Sequence, residues 1–352
     1  MTNISSRFVS RLASFIALWL WLCLGAGACS RSDAAPQSED PAQAGLETLE
    51  LRYQGFAGQV TFPELAEDLG YLAPLRLKYV GATISGPQDI QTVVTRDIDF
   101  GGAFNGAVLK LIAAHAPVQA VMGYYGVDQQ TWGGFFVAEN SPIRTARDLI
   151  GKKVAVNTLG AHHEFVLREY LARNGLSKDE AAQVTLVVVP PVNAEQALRQ
   201  GQVEVAVLQG ILRDKAQERG GIRALFSDYD LFGEFTAGSY VMTRDFLRTH
   251  PRSARHFVEA TARAIEWARA QPRQEVVARF ESIIARRGRP EDASSVKYWR
   301  STGIAGQGGL ISEREFRMWI DWLVKDGQLQ SGQIQPKDVY TNELNPYFKS
   351  AS

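Results

Sequence analysis

Gln91-Thr92-Val93-Val94-Thr95-Arg96-Asp97-Ile98-Asp99-Phe100-Gly101 has a counterpart 105 residues further on, Gln196-Ala197-Leu198-Arg199-Gln200-Gly201-Gln202-Val203-Glu204-Val205-Ala206. Each reads as the end of a helix, a turn, and a short strand whose apolar residues flank an acid. Helix-turn-strand units recur by chance, so one echo of this length carries little alone. Its placement gives it weight. The two copies fall at corresponding points of two α/β runs, which favours two similar domains facing each other.

Outward from the echo, strand and helix patterns alternate from Leu46 onward. Thr48 to Tyr53 and Leu75 to Tyr79 have period two, and between them Phe62 to Leu72 has helical spacing, with Pro63 near its start and Gly70 near its end. Val118 to Met122 reads as a strand closed by Gly123. After Phe135-Phe136-Val137 a second set begins, with a strand over Lys153 to Val156, a helix over Ala161 to Arg173, and a buried strand over Val184 to Val189. Asn193 with Gln196 gives a capping-box pattern for the next helix, which Gly201 closes before the strand Val203 to Val207. From Pro251 the pattern is mainly helical, through Ala270, Gln274 to Arg287, and Glu313 to Lys325. This alternation predicts an α/β fold with a largely parallel sheet.

With 352 residues, 45% of them hydrophobic, the chain can build two domains with cores, and disordered or collagen-like classes are excluded. The first 28 residues carry only Arg7 and Arg11, so the remainder holds 36 basic against 38 acidic residues. Without a basic field to hold a phosphate backbone, no nucleic-acid partner is expected. Leu12 to Ala28 is uncharged, with the apolar core Phe15 to Leu22, and ends in Gly25-Ala26-Gly27-Ala28 before Cys29. That is the pattern of an export signal over residues 1–28 rather than a retained anchor helix. The only other cysteine is Cys23, so the exported part is expected to hold no disulfide and no thiolate metal site. Residues 29–45, polar and rich in Pro, Ala and Gly, read as a flexible tether.

Catalytic patterns are sparse. There is no G-x-S-x-G elbow and no phosphate-binding G-x-x-x-x-G-K-[ST] loop, and Gly101 to Gly106 lacks dinucleotide spacing. His162-His163-Glu164 invites a metal, but neighbouring helix positions diverge by about 100°, so no metal and no cofactor is expected. Thr158-Leu159-Gly160-Ala161-His162 lies between a strand and a helix, and open N–H groups at such a helix start suit an anion as well as they suit nothing. Aromatic residues follow other predicted strands: Phe56 in Gly55 to Gln59, Phe104 beside Asn105, and Tyr124, Tyr125 and Trp132. Aromatic loops usually just pack. Their convergence at strand ends, where open parallel sheets bind ligands, favours a site.

The order of several motifs resembles the solute-binding proteins of ABC importers of the nitrate/sulfonate/taurine type, which share a domain with thiamine-pyrimidine proteins. The carrying residues are Gly55 to Gln59 with Pro63 to Gly70, Arg96 to Gly101, Ala116-Pro117-Val118, Ile143 to Val156, Gln200 to Ala206, Trp322 to Gly327 and Asp338 to Asn342. Ala26-Gly27-Ala28-Cys29 also resembles a bacterial lipobox, departing from it at Ala26. The likeness implies a two-lobed periplasmic-binding-protein fold of type II. Two Rossmann-like lobes, 46–137 plus 238–352 and 138–237, would be joined by two hinge strands near Phe136-Val137-Ala138 and Ser239-Tyr240-Val241. It further implies a periplasmic monomer that encloses a small organic anion, sulfonate- or taurine-like rather than nitrate, and delivers it to a permease and its ATPase. The lipobox likeness implies a lipid anchor on Cys29, with ordinary cleavage nearby, for instance after Ala34, and a soluble protein left open. The ligand-binding residues would be Phe56, Gln59, Phe104, Asn105, Tyr125, Trp132, Thr158, Gly160, Ala161, His162 and Gln209. No Arg or Lys stands out in those loops. A ligand-sensing lipoprotein, a pyrimidine-binding protein and an enzyme of the same fold remain open at this point, the enzyme disfavoured by the missing cysteine-rich run.

Overall fold

The computed structural model describes residues 45–349. The expected export signal, Cys29 and the expected tether up to residue 44 lie outside the described residues. Among the described residues no helix is long and apolar enough to cross a membrane.

The chain enters through β1 (Glu50–Gly55), α1 (Phe62–Asp68), β2 (Arg76–Ala82), α2 (Gly86–Val94), β3 (Gly101–Phe104), α3 (Asn105–Ala113) and β4 (Val118–Val127). It crosses into a second lobe made of β5 (Gly133–Ala138), β6 (Lys153–Val156), α4 (His162–Arg173), α5 (Lys178–Ala182), β7 (Thr185–Val188), α6 (Pro191–Arg199), β8 (Val205–Gln209), α7 (Gly210–Glu218), β9 (Ile222–Ser227) and α8 (Asp228–Phe232). It then returns through β10 (Phe235–Thr243), α9 (Arg244–Thr249), α10 (Pro251–Ala270), α11 (Arg273–Arg286) and α12 (Glu313–Asp326).

In the first lobe β1 and β2 pair in parallel, and β10 runs antiparallel between β3 and β4. Asp99, just before β3, joins the two parts: its N–H donates to Arg52 O at 2.9 Å, and its Oδ2 accepts the Arg52 N–H at 2.7 Å. The strand order is therefore β2-β1-β3-β10-β4. The second lobe reads β7-β6-β8-β5-β9, with β6 parallel to β7 and β8, and β5 antiparallel between β8 and β9. Both sheets follow one plan, second strand, first, third, returning strand, fourth. The sequence echo is its trace, since α2–β3 and α6–β8 are the third units of the two lobes.

Each returning strand sits deep in the opposite half of the chain. All nine residues of β10 are buried. Strand pairing puts β5 wholly in the second sheet and β10 wholly in the first. The crossings thus fall at residues 128–132 and 233–234, several residues before the positions near Phe136–Ala138 and Ser239–Val241 expected from the sequence.

Local chemistry sets most boundaries. Thr61 and Glu64 form a reciprocal capping box at α1, an arrangement worth about 1 kcal/mol. The box expected at Asn193 is not made. Pro191, whose fixed φ suits a first helical position, starts α6 three residues earlier, with Pro190 as its N-cap. Nor does Gly123 close its strand, because β4 runs on to Val127. A Cβ at Gly123 would lie 2.4 Å from Thr236 Cγ2 on β10, so the glycine serves a close strand approach instead. The lobes touch through aromatic packing: Phe165 of α4 lies 5.1 Å from Phe104 and 4.3 Å from Trp322 of the first lobe, ring centre to ring centre.

Candidate functional site

Strand ends from both lobes frame one cavity of about 360 Å³. Phe56 follows β1, Phe104 ends β3, Tyr124 and Tyr125 stand on β4, Asn157 follows β6, Val189 follows β7 and Gln209 ends β8; all line it. This is where an open α/β sheet leaves backbone groups and loops free to face a ligand. A register slip explains two adjacent tyrosines on one wall. β10 pairs Gly238 with Tyr125 and Ser239 with Gly123, leaving Tyr124 as an extra, bulged residue. In an unbroken strand successive side chains would face opposite sides.

The walls are largely apolar, completed by Val296 and Trp299 from the chain that follows α11, and no Lys or Arg is among the lining residues. Against this apolar background the polar groups are conspicuously short of partners. Ten buried side-chain atoms among the described residues make no hydrogen bond, and five belong to residues that line it: Gln54 Oε1, Asp89 Oδ1, both His162 ring nitrogens and His163 Nε2. A sixth, Asp228 Oδ2, lies off the wall, 3.3 Å from His162 Nε2. Each costs stability while unpaired, so their clustering marks a place that a polar ligand or water completes.

His162 and His163 begin α4. The His162 ring stacks between Phe104, at 5.1 Å, and His163, at 5.1 Å, and its Nε2 lies 3.3 Å from Asp228 Oδ2. Burial drives the His162 pKa well below the ordinary 6.5 and that of His163 down to about 4, so both rings are neutral at pH 7. Burial also raises Asp228 and Asp89 to about 7. The first turn of α4 lacks a side-chain cap because its N-cap residue is Ala161. Just before it the Gly160 N–H donates to Glu164 Oε2 at 2.8 Å.

Of the residues singled out from sequence, Phe56, Gln59, Phe104, Tyr125, Ala161, His162 and Gln209 meet on the cavity wall. Asn105, Trp132, Thr158 and Gly160 are not on it. Asn105 is fully buried, its Nδ2 donating to Thr236 O at 3.1 Å and its Oδ1 accepting from Ser239 Oγ at 2.8 Å. Trp132 stacks on Phe136 under the Arg213 guanidinium, 4.0 Å from the ring centre. The Gly160 amide is taken by Glu164, and the glycine lies beside Lys110 instead. Sequence reasoning missed Asp89, His163, Asn157 and Trp299 as lining groups. Among the described residues no group of three or more His, Cys, Asp or Glu is placed to hold a metal ion.

A polar seam joins the lobes beside the cavity. Arg213 and Asp214 of α7, both buried, pair at 2.6 Å. Arg213 also donates to Trp132 O and Gln130 O, at 3.1 and 2.7 Å, on the first crossing. Arg300, from the first lobe, reaches Asp214 Oδ2 at 2.6 Å, and Thr131 Oγ1 and Ser301 Oγ meet at 2.7 Å.

Residues 65–275, more than half of the sequence, match the model of the NMT1/THI5-like family. The chain belongs to that family. A relative of this NMT1/THI5-like protein from Escherichia coli (strain K12), named for binding aliphatic sulfonates, is 30% identical over 164 residues. That match covers 46% of this chain and 48% of the relative, so the chain aligns with about half of the relative's length. The alkanesulfonate-binding protein SsuA from Xanthomonas axonopodis pv. citri, solved with MOPS bound, superposes with a TM-score of 0.66 at 20% identity, over 84% of this chain and 99% of that one. The desulfurization enzyme DSZB superposes with a TM-score of 0.58 at 16% identity, over 84% and 97%. At these identities the superpositions show the fold alone, and this NMT1/THI5-like fold serves binding proteins and an enzyme alike.

Proposed function

We propose that this protein is an extracytoplasmic solute-binding protein that captures a small organic anion of the sulfonate class between its lobes and hands it to the permease of an ABC importer. The observation that carries the reading is the set of unpartnered buried polar atoms on an otherwise apolar cavity shared by two lobes. A head group would be met by the uncapped start of α4, at Ala161 to His163, and by neutral imidazole N–H groups. Oriented uncharged donors in a water-poor pocket stabilise an anion without a cation. Phe56, Phe104, Tyr125 and Trp299 would enclose the organic body, which makes the cavity a poor match for a bare inorganic ion. No lining cysteine, serine or lysine supplies a nucleophile, and we read the site as one for binding without turnover. Contacts from both lobes to one solute favour the closed arrangement, with movement about the crossings at 128–132 and 233–234. A monomer held at the membrane through a lipid on Cys29 completes the reading.

The test is thermal shift and isothermal titration of the protein against alkane- and arylsulfonates, taurine, nitrate and pyrimidines. A ligand at 100 times its Kd adds about 2.7 kcal/mol, a readily resolved rise in melting temperature. Saturable binding of a sulfonate without consumption supports the reading. Binding of pyrimidines alone would overturn the solute class, and slow conversion of the bound solute would overturn the binding-only role.

A further inference from the structure

Asp89 stands out among the cavity's polar groups because it is an acid, it faces no cation, and its task in the fold needs only half of its carboxylate. It lies on α2 in the first lobe, 3% exposed. Its Oδ2 accepts the Gly102 N–H at 2.7 Å, which ties the start of α2 to β3. Its Oδ1 is buried and has no partner, although the residue lines the cavity. A purely structural acceptor for Gly102 would be as well served by asparagine, and a desolvated second oxygen would then be a standing cost with no return.

The surroundings set what can reach that oxygen. Tyr124 stands over Gly102, its ring 2.7 Å from where a Gly102 Cβ would be, and Tyr125 lies 4.9 Å beyond it, ring centre to ring centre. Tyr125 is in turn 6.2 Å from the His162 ring. Two aromatic rings thus separate Asp89 from the start of α4 on the other lobe. The start of α4 offers donors, Asp89 offers an unpaired acceptor, and the stretch between them is aromatic. We propose that Asp89 is a specificity-determining residue, and that the solute is a two-ended one: an anionic head at α4 and, across an apolar or aromatic body, an amine or hydroxyl that donates to Asp89 Oδ1. This rests on the solute-binding reading above and narrows it. A solute ending in methyl leaves Oδ1 unpaired, and one ending in a second acid meets it with repulsion.

The test uses the full chain and three arylsulfonates that differ at one end: benzenesulfonate, 4-aminobenzenesulfonate and 4-sulfobenzoate, titrated calorimetrically at about pH 8.5, where a carboxyl raised by burial to about 7 is ionised. The expected order is the amine tightest, by roughly tenfold or more over benzenesulfonate, with 4-sulfobenzoate weakest. In Asp89→Asn the side-chain oxygen still accepts from Gly102 while an NH₂ group faces the cavity, so the order should invert in favour of 4-sulfobenzoate. Equal affinities in the unaltered protein, or an unchanged order in Asp89→Asn, would overturn the assignment while leaving sulfonate binding intact. If no sulfonate of any kind binds, the solute-class reading falls and this inference with it. Should the variant fail to fold, the order measured on the unaltered protein decides.

Discussion

Replacing Asp228 by asparagine should make the protein more stable at pH 8 and change little at pH 4. Asp228 is fully buried, and its Oδ1 accepts the N–H groups of Gly133 and Tyr229 at 2.9 and 2.8 Å. Its Oδ2 has only the His162 ring before it, and that ring is kept neutral by its own burial. The carboxyl, ordinarily near 3.8, is raised to about 7 by burial, so the folded protein holds this proton more tightly than the unfolded chain does. Stability from this group is then fully present below about pH 4 and is lost as pH rises toward 7. At pH 8 the accumulated loss is about 4 kcal/mol, and at pH 4 it is only about 0.6 kcal/mol. Asparagine imitates the protonated acid: its oxygen keeps both backbone donors and its NH₂ can donate to His162 Nε2. Urea denaturation of both proteins at pH 8, 6 and 4 measures the difference directly. A variant less stable by about 3–5 kcal/mol at pH 8 would refute the reasoning, for it would mean that Asp228 and His162 form a charged pair broken by the change. His163 acts in the opposite sense: with its pKa lowered from 6.5 to about 4, its contribution is present above 6.5 and is lost as pH falls. The combined profile should therefore be flatter between pH 4 and 6.5 than the carboxyls alone would make it.

Four further outcomes follow from the same geometry. Asp214→Ala leaves the buried Arg213 guanidinium without its carboxylate and should cost about 3–5 kcal/mol by denaturant titration, whereas Arg300→Ala, removing a half-exposed arm of the seam, should cost under about 1 kcal/mol but widen the scattering envelope of the unliganded protein. Gly160→Asp should keep solute affinity within about threefold: position 160, at φ +68°, tolerates aspartate at a cost of about 1 kcal/mol, lies off the cavity, and sets the new carboxylate beside Lys110. Trp132→Ala should lower stability by about 3 kcal/mol through lost packing under Arg213, with solute affinity retained in calorimetry.

How far the sequence could be read depended on whether a residue answers to its neighbours or to distant chain. Helices with strong periodicity and end signals are legible, and α10 spans Pro251–Ala270 as expected. Gly123 misleads because a glycine in a strand and a glycine ending one look alike until Thr236, 113 positions later, is seen pressing on it. The paired wall positions of Tyr124 and Tyr125 rest on a bulge that only the partner strand creates. Trp299 and Val296 reach the cavity from a segment 240 residues or more beyond Phe56, and no local pattern announces that return. Asp89 is the sharpest case. In sequence it is one acid in the first turn of a helix, where acids are common for reasons of dipole alone. Its role as a bare acceptor appears only once Gly102 has taken one oxygen and the apolar walls have closed on the other.

The two lobes share a strand plan and even a trace of sequence, yet they bring unlike chemistry to the cavity, and that asymmetry is what makes closure informative about the solute. Each lobe offers the start of a helix after its first strand, α1 in one and α4 in the other. In the first lobe Thr61 and Glu64 fill that start with their own capping box, and Glu64 is further tied to Arg287, Arg289 and Tyr53. In the second lobe the N-cap is Ala161, which has nothing to offer, and the neighbouring histidines are neutral with unpaired nitrogens. One helix start is consumed by the fold and the other is left open. The first lobe instead presents an acceptor, Asp89, and most of the aromatic surface. A solute satisfying only one wall gains no more in the closed form than in the open one and shifts nothing between them. On the proposed solute-binding reading, only a molecule whose two ends match the two walls would draw the lobes together, and the feature that selects the solute would be the same one that drives closure.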